Sequence, residues 1–334
     1  MSGTLPLVSI VCPAFEEEEV LPVFHRNLQA ELERLKSQYR FEILLVDDGS
    51  SDRTLDVIKE IARNDPAVSY VSLSRNFGHQ AALTAGLEHA RGDAVISMDA
   101  DMQHPPHVIP ELLAAWREGF DVVITIREVD RELPWFKRVT STAFYRLMQL
   151  VSDTEVRVAA ADFRLLSRVA LDALLQLREH HRFVRGMVQW LGFRVKECVF
   201  HPGERVAGRS KYTFRRMLRL AGDGLFSFSR APLRAANWVC MGFLGLAMLH
   251  AVLMGLDWLQ GAGFASWHYL AGIVNLGIGC VLGALGVMGE YIGRVSEQVK
   301  QRPLYVIKEV QISPLSASVE PSADAETGDL REAA

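Results

Sequence analysis

The sequence lacks the cysteine pattern of a metal-binding or redox protein. Its four cysteines, at positions 12, 198, 240 and 280 of 334 residues, are too widely spaced to suggest a zinc site or a redox motif. The N-terminus also lacks a basic segment followed by an apolar run. No secretory signal is therefore predicted, and the first domain is expected to stay in the cytoplasm.

Two phosphate-binding glycine motifs are also missing. No G-x-G-x-x-G follows the first predicted strand and no G-x-x-x-x-G-K-[ST] occurs, which argues against a dinucleotide enzyme and against an NTPase. The formal net charge is −4. A slightly negative net charge gives no general basis for binding nucleic acid, so no nucleic-acid partner is expected.

What the sequence does have, over residues 7–130, is an alternation of apolar runs with helical periods. Strands are predicted at 8–11, 41–46, 68–73 and 94–98, and helices at 20–37, 54–63 and 79–90, with Asp52 as the N-cap of the second helix. This order predicts an α/β fold whose mostly parallel sheet is covered on both faces. Ligands of such sheets bind at the carboxyl ends of the strands.

Acidic residues follow two of these strands directly. Asp99 and Asp101 come after the fourth strand, and in an extended segment residues i and i+2 project to the same side. Both carboxylates could then reach one divalent cation, with Gln103 continuing the spacing; such oxygen ligands suit Mg²⁺ or Mn²⁺. Asp47 and Asp48 follow the second strand, and Asp48 is the better candidate for a ribose hydroxyl or a base N–H.

Each of these acidic segments has a plainer interpretation. An Asp-x-Asp pair is often a solvated loop or a helix cap, and the Asp47–Asp48 pair could belong to a turn. His104 and His107 could also act as zinc ligands together with the aspartates, although Pro105 and Pro106 interrupt any helical spacing there.

Two basic clusters could bind phosphate. A loop with a glycine for close approach could grip a diphosphate or face anionic lipid; it consists of Arg205, Gly208, Arg209, Ser210 and Lys211. A second cluster could receive an acceptor phosphate or be a solvated loop; it consists of Arg127, Arg131, Lys137 and Arg138.

Two long uncharged runs, over 235–256 and 269–289, follow a basic amphipathic stretch at 213–229. Each run reaches the roughly 20 residues that a bilayer core requires, and the alternative is a helical hairpin buried in a soluble core. The loop at 257–268 has no Lys or Arg, whereas both outer flanks do, so both termini are expected in the cytoplasm. Small residues permit close helix packing and a possible homo-oligomer: Gly242, Gly245, Gly277, Gly279, Gly283 and Gly286.

The predicted organisation has five parts. A cytoplasmic catalytic domain over 1–212 precedes an interfacial amphipathic helix over 213–232 and a transmembrane hairpin over 233–293. A cytoplasmic segment over 294–311 and a disordered tail over 312–334 complete the chain.

At these positions the sequence resembles the family 2 glycosyltransferases of the GT-A fold. It is most similar to the polyprenyl-phosphate group, which includes dolichyl-phosphate mannose synthase and undecaprenyl-phosphate sugar transferases. The motifs lie at 11–18, 46–52 (VDDGSSD), 75–82 (RNFGHQAA), 98–106 (MDADMQHPP), 162–165, 182–186 and 205–212. Glu16 departs from the Asn usual in the family, and His107 stands where many members carry Glu.

The resemblance implies a GT-A, Rossmann-like catalytic domain and inverting transfer of a sugar from a UDP- or GDP-linked donor to a polyprenyl phosphate. It implies donor binding by Pro13, Phe15, Glu17, Val46, Asp48, Asp99, Ala100, Asp101, Gln103, Arg205 and Lys211. The metal would be held by Asp99, Asp101 and Gln103, and Asp162 would orient the sugar or the acceptor. The acceptor phosphate would meet Arg127, Arg131, Arg138 and Ser210.

Because an acceptor phosphate is already ionised at neutral pH, no strong general base is expected in such a reaction. Two other functions stay open from the residues alone. One is an inactive membrane scaffold or sugar-lipid binding module, and the other is a processive polysaccharide synthase, which would need more spans than two.

Overall fold

The computed structural model describes residues 5–127, 160–180, 182–201, 231–259 and 267–313. The strands are β1 (Leu7–Ala14), β2 (Arg40–Asp47), β3 (Val68–Leu73), β4 (Ala94–Ser97), β5 (Val122–Arg127), β6 (Ala160–Ser167), β7 (Val195–Phe200) and β8 (Ile307–Gln311). The helices are α1 (Leu21–Leu35), α2 (Thr54–Asn64), α3 (His79–His89), α4 (Ile109–Arg117), α5 (Arg168–Gln176), α6 (Val184–Trp190), α7 (Ala231–Leu259) and α8 (Trp267–Val299), with a short 3₁₀ helix at Pro106–Val108.

The strands form one sheet in the order β7-β5-β6-β4-β1-β2-β3-β8. β1 is central and runs parallel to both β2 and β4, with Ala14 opposite Asp47 and Val11 opposite Ser97. The carboxyl ends of these strands therefore meet at one edge, where both pairs of acidic residues follow. The α/β class, the mostly parallel sheet and the seven predicted elements are confirmed.

Helices cover both faces of the sheet, as expected for near-continuous apolar strands. On one face Ile10 and Cys12 pack with Phe24 and Leu28 of α1. On the other face Val11 and Val46 pack with α3, α5 and α6. The site at the strand ends thus stands on a rigid, doubly covered sheet.

The predicted N-cap of α2 is wrong by one residue. Arg53 occupies the N-cap position and offers no side-chain cap. The carboxylate of Asp52 instead accepts the backbone N–H of Thr54 at 3.0 Å, in an Asx-type turn that precedes the helix. The side chain of Asp52 is used locally and does not point to a ligand.

The sequence did not predict β8, which returns to the sheet after the two long helices and pairs antiparallel with β3. Glu309 of β8 accepts hydrogen bonds from Lys59 and Tyr70, both at 2.6 Å. β8 is exposed on both sides, so the amphipathic or apolar pattern that identifies other strands is absent from it. This strand fixes the end of α8 to the catalytic sheet.

The two predicted hydrophobic spans lie in helices α7 and α8. Within the described ranges, one helical segment, Leu276–Val299 of α8, is long and apolar enough to cross a membrane, and none of it is buried. Large apolar side chains are also exposed along α7, among them Trp238, Met248 and Leu259. The predicted amphipathic helix lies outside the described residues, as does most of the predicted disordered tail.

Replacing Gly86 with alanine should destabilise the protein even though alanine favours helices. A Cβ at this position of α3 would lie 2.3 Å from Cγ1 of Val11 and 3.0 Å from Cγ2 of Val46. Overpacking of this kind costs about 1–3 kcal/mol, so thermal unfolding of the purified full chain should shift to lower temperature.

A second substitution tests whether steric overlap is the cause. Val11→Ala removes the closest clashing atom, so the double variant Gly86→Ala, Val11→Ala should lose less stability than the sum of the two single variants. Additive losses would contradict the proposed contact between α3 and β1.

Candidate active site

Asp99 and Asp101 lie just beyond β4, at the carboxyl edge of the sheet. The extended conformation expected for them is wrong, because the chain turns at Ala100 and Asp101 and Met102 adopts a positive φ of 67°. Ala100 is buried, whereas both aspartates are half-buried. Both residues therefore keep part of their surface exposed at the carboxyl edge of the sheet.

Gln103 links the acidic segment to β5. Its backbone N–H and its side-chain amide N–H donate to the two oxygens of Asp101, at 3.0 and 2.9 Å. Its Oε1 accepts a hydrogen bond from Nη1 of Arg127 at 3.1 Å. Arg127, a predicted acceptor residue, is thus brought directly beside the predicted metal ligands.

His79, the first residue of α3, stands between two carboxylates. Its Nε2 lies 3.6 Å from Oδ1 of Asp99 and 3.6 Å from Oδ2 of Asp162. Desolvation alone would lower the pKa of His79, but contact with Asp162 and the charges of Asp99 and Asp162 raise it to about 9. The imidazole is therefore positively charged at neutral pH, and 42% of the side chain is exposed to the cleft.

Asp162 on β6 is buried and surrounded by cations. Its oxygens accept hydrogen bonds from Arg164 and from Nε and Nη2 of Arg185, the latter two at 3.0 and 2.7 Å. Burial would raise the pKa of Asp162, but Arg185, His79 and Arg164 outweigh that effect and hold the pKa well below its ordinary value. Asp162 is consequently a permanent anion and a very weak base.

His104 is buried against the same site but is neutral. Its Nδ1 accepts the backbone N–H of Asp99 at 2.8 Å, and its ring stacks on Phe163 with centroids 5.2 Å apart. Desolvation lowers the pKa of His104 despite the nearby charge of Asp99. The 3.6 Å approach of its Nδ1 to the Asp99 carboxylate is therefore not an ion pair.

Asp47 and Asp48 organise the loops that follow β2 and β3. Asp47 accepts hydrogen bonds from the N–H of Ser50 at 3.0 Å and the hydroxyl of Ser72 at 2.9 Å. Asp48 accepts the backbone N–H groups of Phe77 and Gly78, at 2.8 and 3.0 Å, just before α3. Burial raises the pKa of Asp48 in spite of these two donors.

The other predicted donor residues differ in accessibility. Val46 is fully buried between β1 and β3 and Pro13 is buried in β1, so the structure does not support the predicted donor contacts of these two residues. Phe15 and Glu17 are half-buried in the loop after β1, where the N–H of Glu17 donates to the hydroxyl of Thr54 at 2.9 Å. The predicted phosphate-binding residues Arg131, Arg138, Arg205, Ser210 and Lys211 lie outside the described residues.

The donor set near β4 fits a divalent cation that takes further ligands from its substrate. No group of three or more His, Cys, Asp or Glu side chains arranged to hold a metal occurs among the described residues. Asp99 and Asp101 supply two carboxylates, which is the number typical of Mg²⁺ sites completed by phosphate oxygens and water. The zinc alternative finds no support in this region, because His104 is turned to the backbone and His107 is exposed.

Three cationic residues of the site received no role from the sequence: His79, Arg164 and Arg185. Each lies in one of the motif segments, yet nothing in the local spacing indicates that all three converge on Asp162. Two signals in the sequence could have identified them as site residues. They are charged, and they lie in motifs that otherwise contain many apolar and small residues.

Comparison with known proteins agrees with the motifs. The profile described as Glycosyl transferase family 2 matches residues 9–175. Over 301 residues the chain is 38% identical to the uncharacterized glycosyltransferase YkcC of Bacillus subtilis (strain 168), covering 90% of this chain and 93% of that one. Over 305 residues it is 39% identical to the SfII prophage-derived bactoprenol glucosyl transferase of Shigella flexneri, covering 90% and 97%.

Among solved structures, the mannosyltransferase PcManGT from Pyrobaculum calidifontis, in complex with GDP-Man and Mn²⁺, has a TM-score of 0.45 and 14% identity. The match covers 86% of this chain and 88% of that chain. The family profile and the near full-length sequence similarity agree with the predicted membership: the chain belongs to glycosyl transferase family 2.

Proposed function

We propose that the protein transfers a sugar from a nucleoside diphosphate sugar to a polyprenyl phosphate at the cytoplasmic surface of a membrane, with inversion at the anomeric carbon. The observation that carries this proposal is the position of Asp99 and Asp101 at one sheet edge, with His79 beside Asp99 and with Arg127 held next to Asp101 through Gln103. The relatives named bactoprenol glucosyl transferases support the acceptor class, and they make UDP- or GDP-linked glucose the first donors to test.

The donor would lie across the carboxyl ends of β1, β2 and β4. Phe15, Glu17 and Asp48 flank the ends of β1 and β2 and would contact the nucleoside. The diphosphate would then reach Asp99 and Asp101. Arg205 and Lys211 would close over it, since guanidinium and ammonium groups neutralise phosphate oxygens.

Asp99, Asp101 and Gln103 would hold the Mg²⁺ or Mn²⁺ ion. When bound, the ion supplies positive charge to the diphosphate that leaves the sugar. The oxygen that Gln103 would offer to the ion is Oε1, which accepts the Arg127 hydrogen bond in this structure. Arg127 lies beside this group and would face the incoming phosphate.

The acceptor would approach from the side of β5. Arg127, Arg131, Arg138 and Ser210 would bind its phosphate, whose ionised oxygen attacks the anomeric carbon without needing a base. The low pKa of Asp162 agrees with this, because a carboxylate bound to Arg164 and Arg185 is unsuited to accept a proton. Asp162 instead positions His79 and Arg185 around the reacting groups.

Both long helices would cross the membrane, with α7 as the first span and α8 as the second. Exposed apolar side chains on both helices support this arrangement. The glycines of α8 that face open space, including Gly279 and Gly283, would allow close approach of a helix from a second copy.

Asp101→Asn should lower sugar transfer by about 10²–10³-fold, the range seen when one electrostatic contact to a developing charge is removed. Transfer is measured by extraction of radiolabelled polyprenyl-phosphate sugar. The control is Asp172→Asn, which removes the same charge from an exposed position on α5. Full turnover in the Asp101 variant would refute the assignment of this carboxylate.

His79→Gln should lower kcat by about a hundredfold, because it removes the cation that lies between Asp99 and Asp162 beside the departing diphosphate. The matched control is His89→Gln at the other end of α3, where, among the described residues, the ring hydrogen-bonds the local carbonyl of Ala85 alone. Equal kcat values for the two variants would exclude a role of His79 in transfer.

A topology experiment separates one span from two. A cysteine introduced at Gly261, in a chain whose four native cysteines are replaced by serine, should react with a membrane-impermeant thiol reagent added outside intact cells. A cysteine at Ser316 should react only after lysis. Protection of position 261 in intact cells would show that α7 and α8 do not both cross the bilayer.

A further inference from the structure

A basic cavity of about 400 Å³ lies at the end of α8, formed by segment 75–78, His180 and segment 302–304. Its volume falls within the roughly 300–1,000 Å³ typical of small-molecule sites. None of the carboxylates of the candidate active site lines it. The cavity therefore has its own walls and its own chemistry.

The charge of the cavity is of one sign. Arg75 and Arg302 contribute two guanidinium groups and His180 an imidazole, and no acidic residue is part of the lining. Within the described ranges, neither arginine forms an ion pair; Arg75 lies over the ring of Phe77, 4.3 Å from its centroid. Two arginines that line one cavity without a carboxylate form a place for an anion with several oxygens, and a phosphate group matches the fork geometry of a guanidinium group.

The first wall of the cavity, segment 75–78, is held in place by residues of the loop that follows β2. Asp48 fixes the backbone of Phe77 and Gly78. Gly49 packs directly on the backbone of Arg75, where any Cβ would come within 2.3 Å. The segment that carries Arg75 is consequently rigid rather than a free surface loop.

The second wall, His180, is held by α8. The third wall, segment 302–304, is held by the chain that follows α8. The side chain of Gln298 accepts the N–H of His180 at 2.7 Å and donates to the carbonyl of Arg178 at 2.6 Å. The carbonyl of Val306 accepts the N–H of Ser74 at 2.8 Å, which ties the segment after Arg302 to the segment before Arg75. The three walls are therefore joined to one another.

The location indicates which phosphate the cavity would meet. Arg302 lies nine residues beyond the predicted span, which ends at 293, so it would stand on the cytoplasmic side of the bilayer that α8 enters. Basic pockets on the cytoplasmic side bind the head groups of anionic lipids. Free phosphate carries the same chemical group and is the other possible source.

We infer that the cavity between Arg75, His180 and Arg302 is a binding site for the phosphate group of an anionic phospholipid; its lining shares no residue with those proposed to bind the donor or the acceptor. The inference rests on the proposed membrane placement of α8 for its choice of lipid over free phosphate. A bound head group would fasten the loop before His79 to the membrane surface.

The test uses the full chain in nanodiscs of phosphatidylcholine, with or without phosphatidylglycerol, and follows amide hydrogen exchange by mass spectrometry. Phosphatidylglycerol should slow exchange in the peptides that contain 75–80 and 300–306. Arg75→Gln and Arg302→Gln should abolish that protection, whereas Lys300→Gln, which removes the same charge two residues from Arg302, should retain it. Unchanged exchange in β1 and β4 verifies that each variant is folded.

A second arm identifies the source of the phosphate. Inorganic phosphate added to the same protein in phosphatidylcholine discs should leave both peptides unprotected; protection by phosphate alone would overturn the lipid assignment. Equal loss of protection in Lys300→Gln would mean diffuse surface charge and would refute a defined site. The cysteine-labelling experiment at positions 261 and 316 tests the membrane placement on its own, so a failure of that placement is distinguished from a failure of the cavity.

Discussion

The ion cluster around Asp162 is the interaction on which the geometry of the site depends. One buried carboxylate on β6 contacts Arg164 of the same strand, Arg185 of α6 and His79 of α3, so it joins three elements that are distant in sequence. Removing one partner from such a buried group leaves uncompensated charge, which typically costs about 3–5 kcal/mol. The start of α3 and the position of α6 are therefore fixed by electrostatics in addition to apolar packing.

Three carboxylates of one cleft thus differ in what they can do. Asp162 is saturated by guanidinium groups and acts as a fixed charge, whereas Asp99 and Asp101 keep half-exposed oxygens toward the cleft. The difference comes from environment, since all three side chains are chemically identical. It also explains how His79 can be stabilised as a cation by Asp162 while the neighbouring Asp99 stays partly exposed.

The central fold was predictable because β1, β2, β3 and β4 have apolar patterns that reflect burial on both faces. The acidic segments were located correctly because they directly follow strands whose carboxyl ends must meet. The turn at Ala100, the role of Asp52 and the partners of Asp162 were not, since each depends on backbone dihedrals or on contacts between remote segments. β8 was missed because its stability comes from β3, Lys59 and Tyr70 rather than from an apolar pattern of its own.

The position of β8 also determines when the sheet can be completed. β8 pairs with β3, although both long helices and most of the chain lie between them. During synthesis β3 must present an unpaired edge until the C-terminal segment has left the ribosome, and unpaired edges recruit strands of other chains. The sheet can therefore be completed only after α7 and α8 have been synthesised. A chain truncated before β8 would keep the edge of β3 unpaired and open to association with strands of other chains.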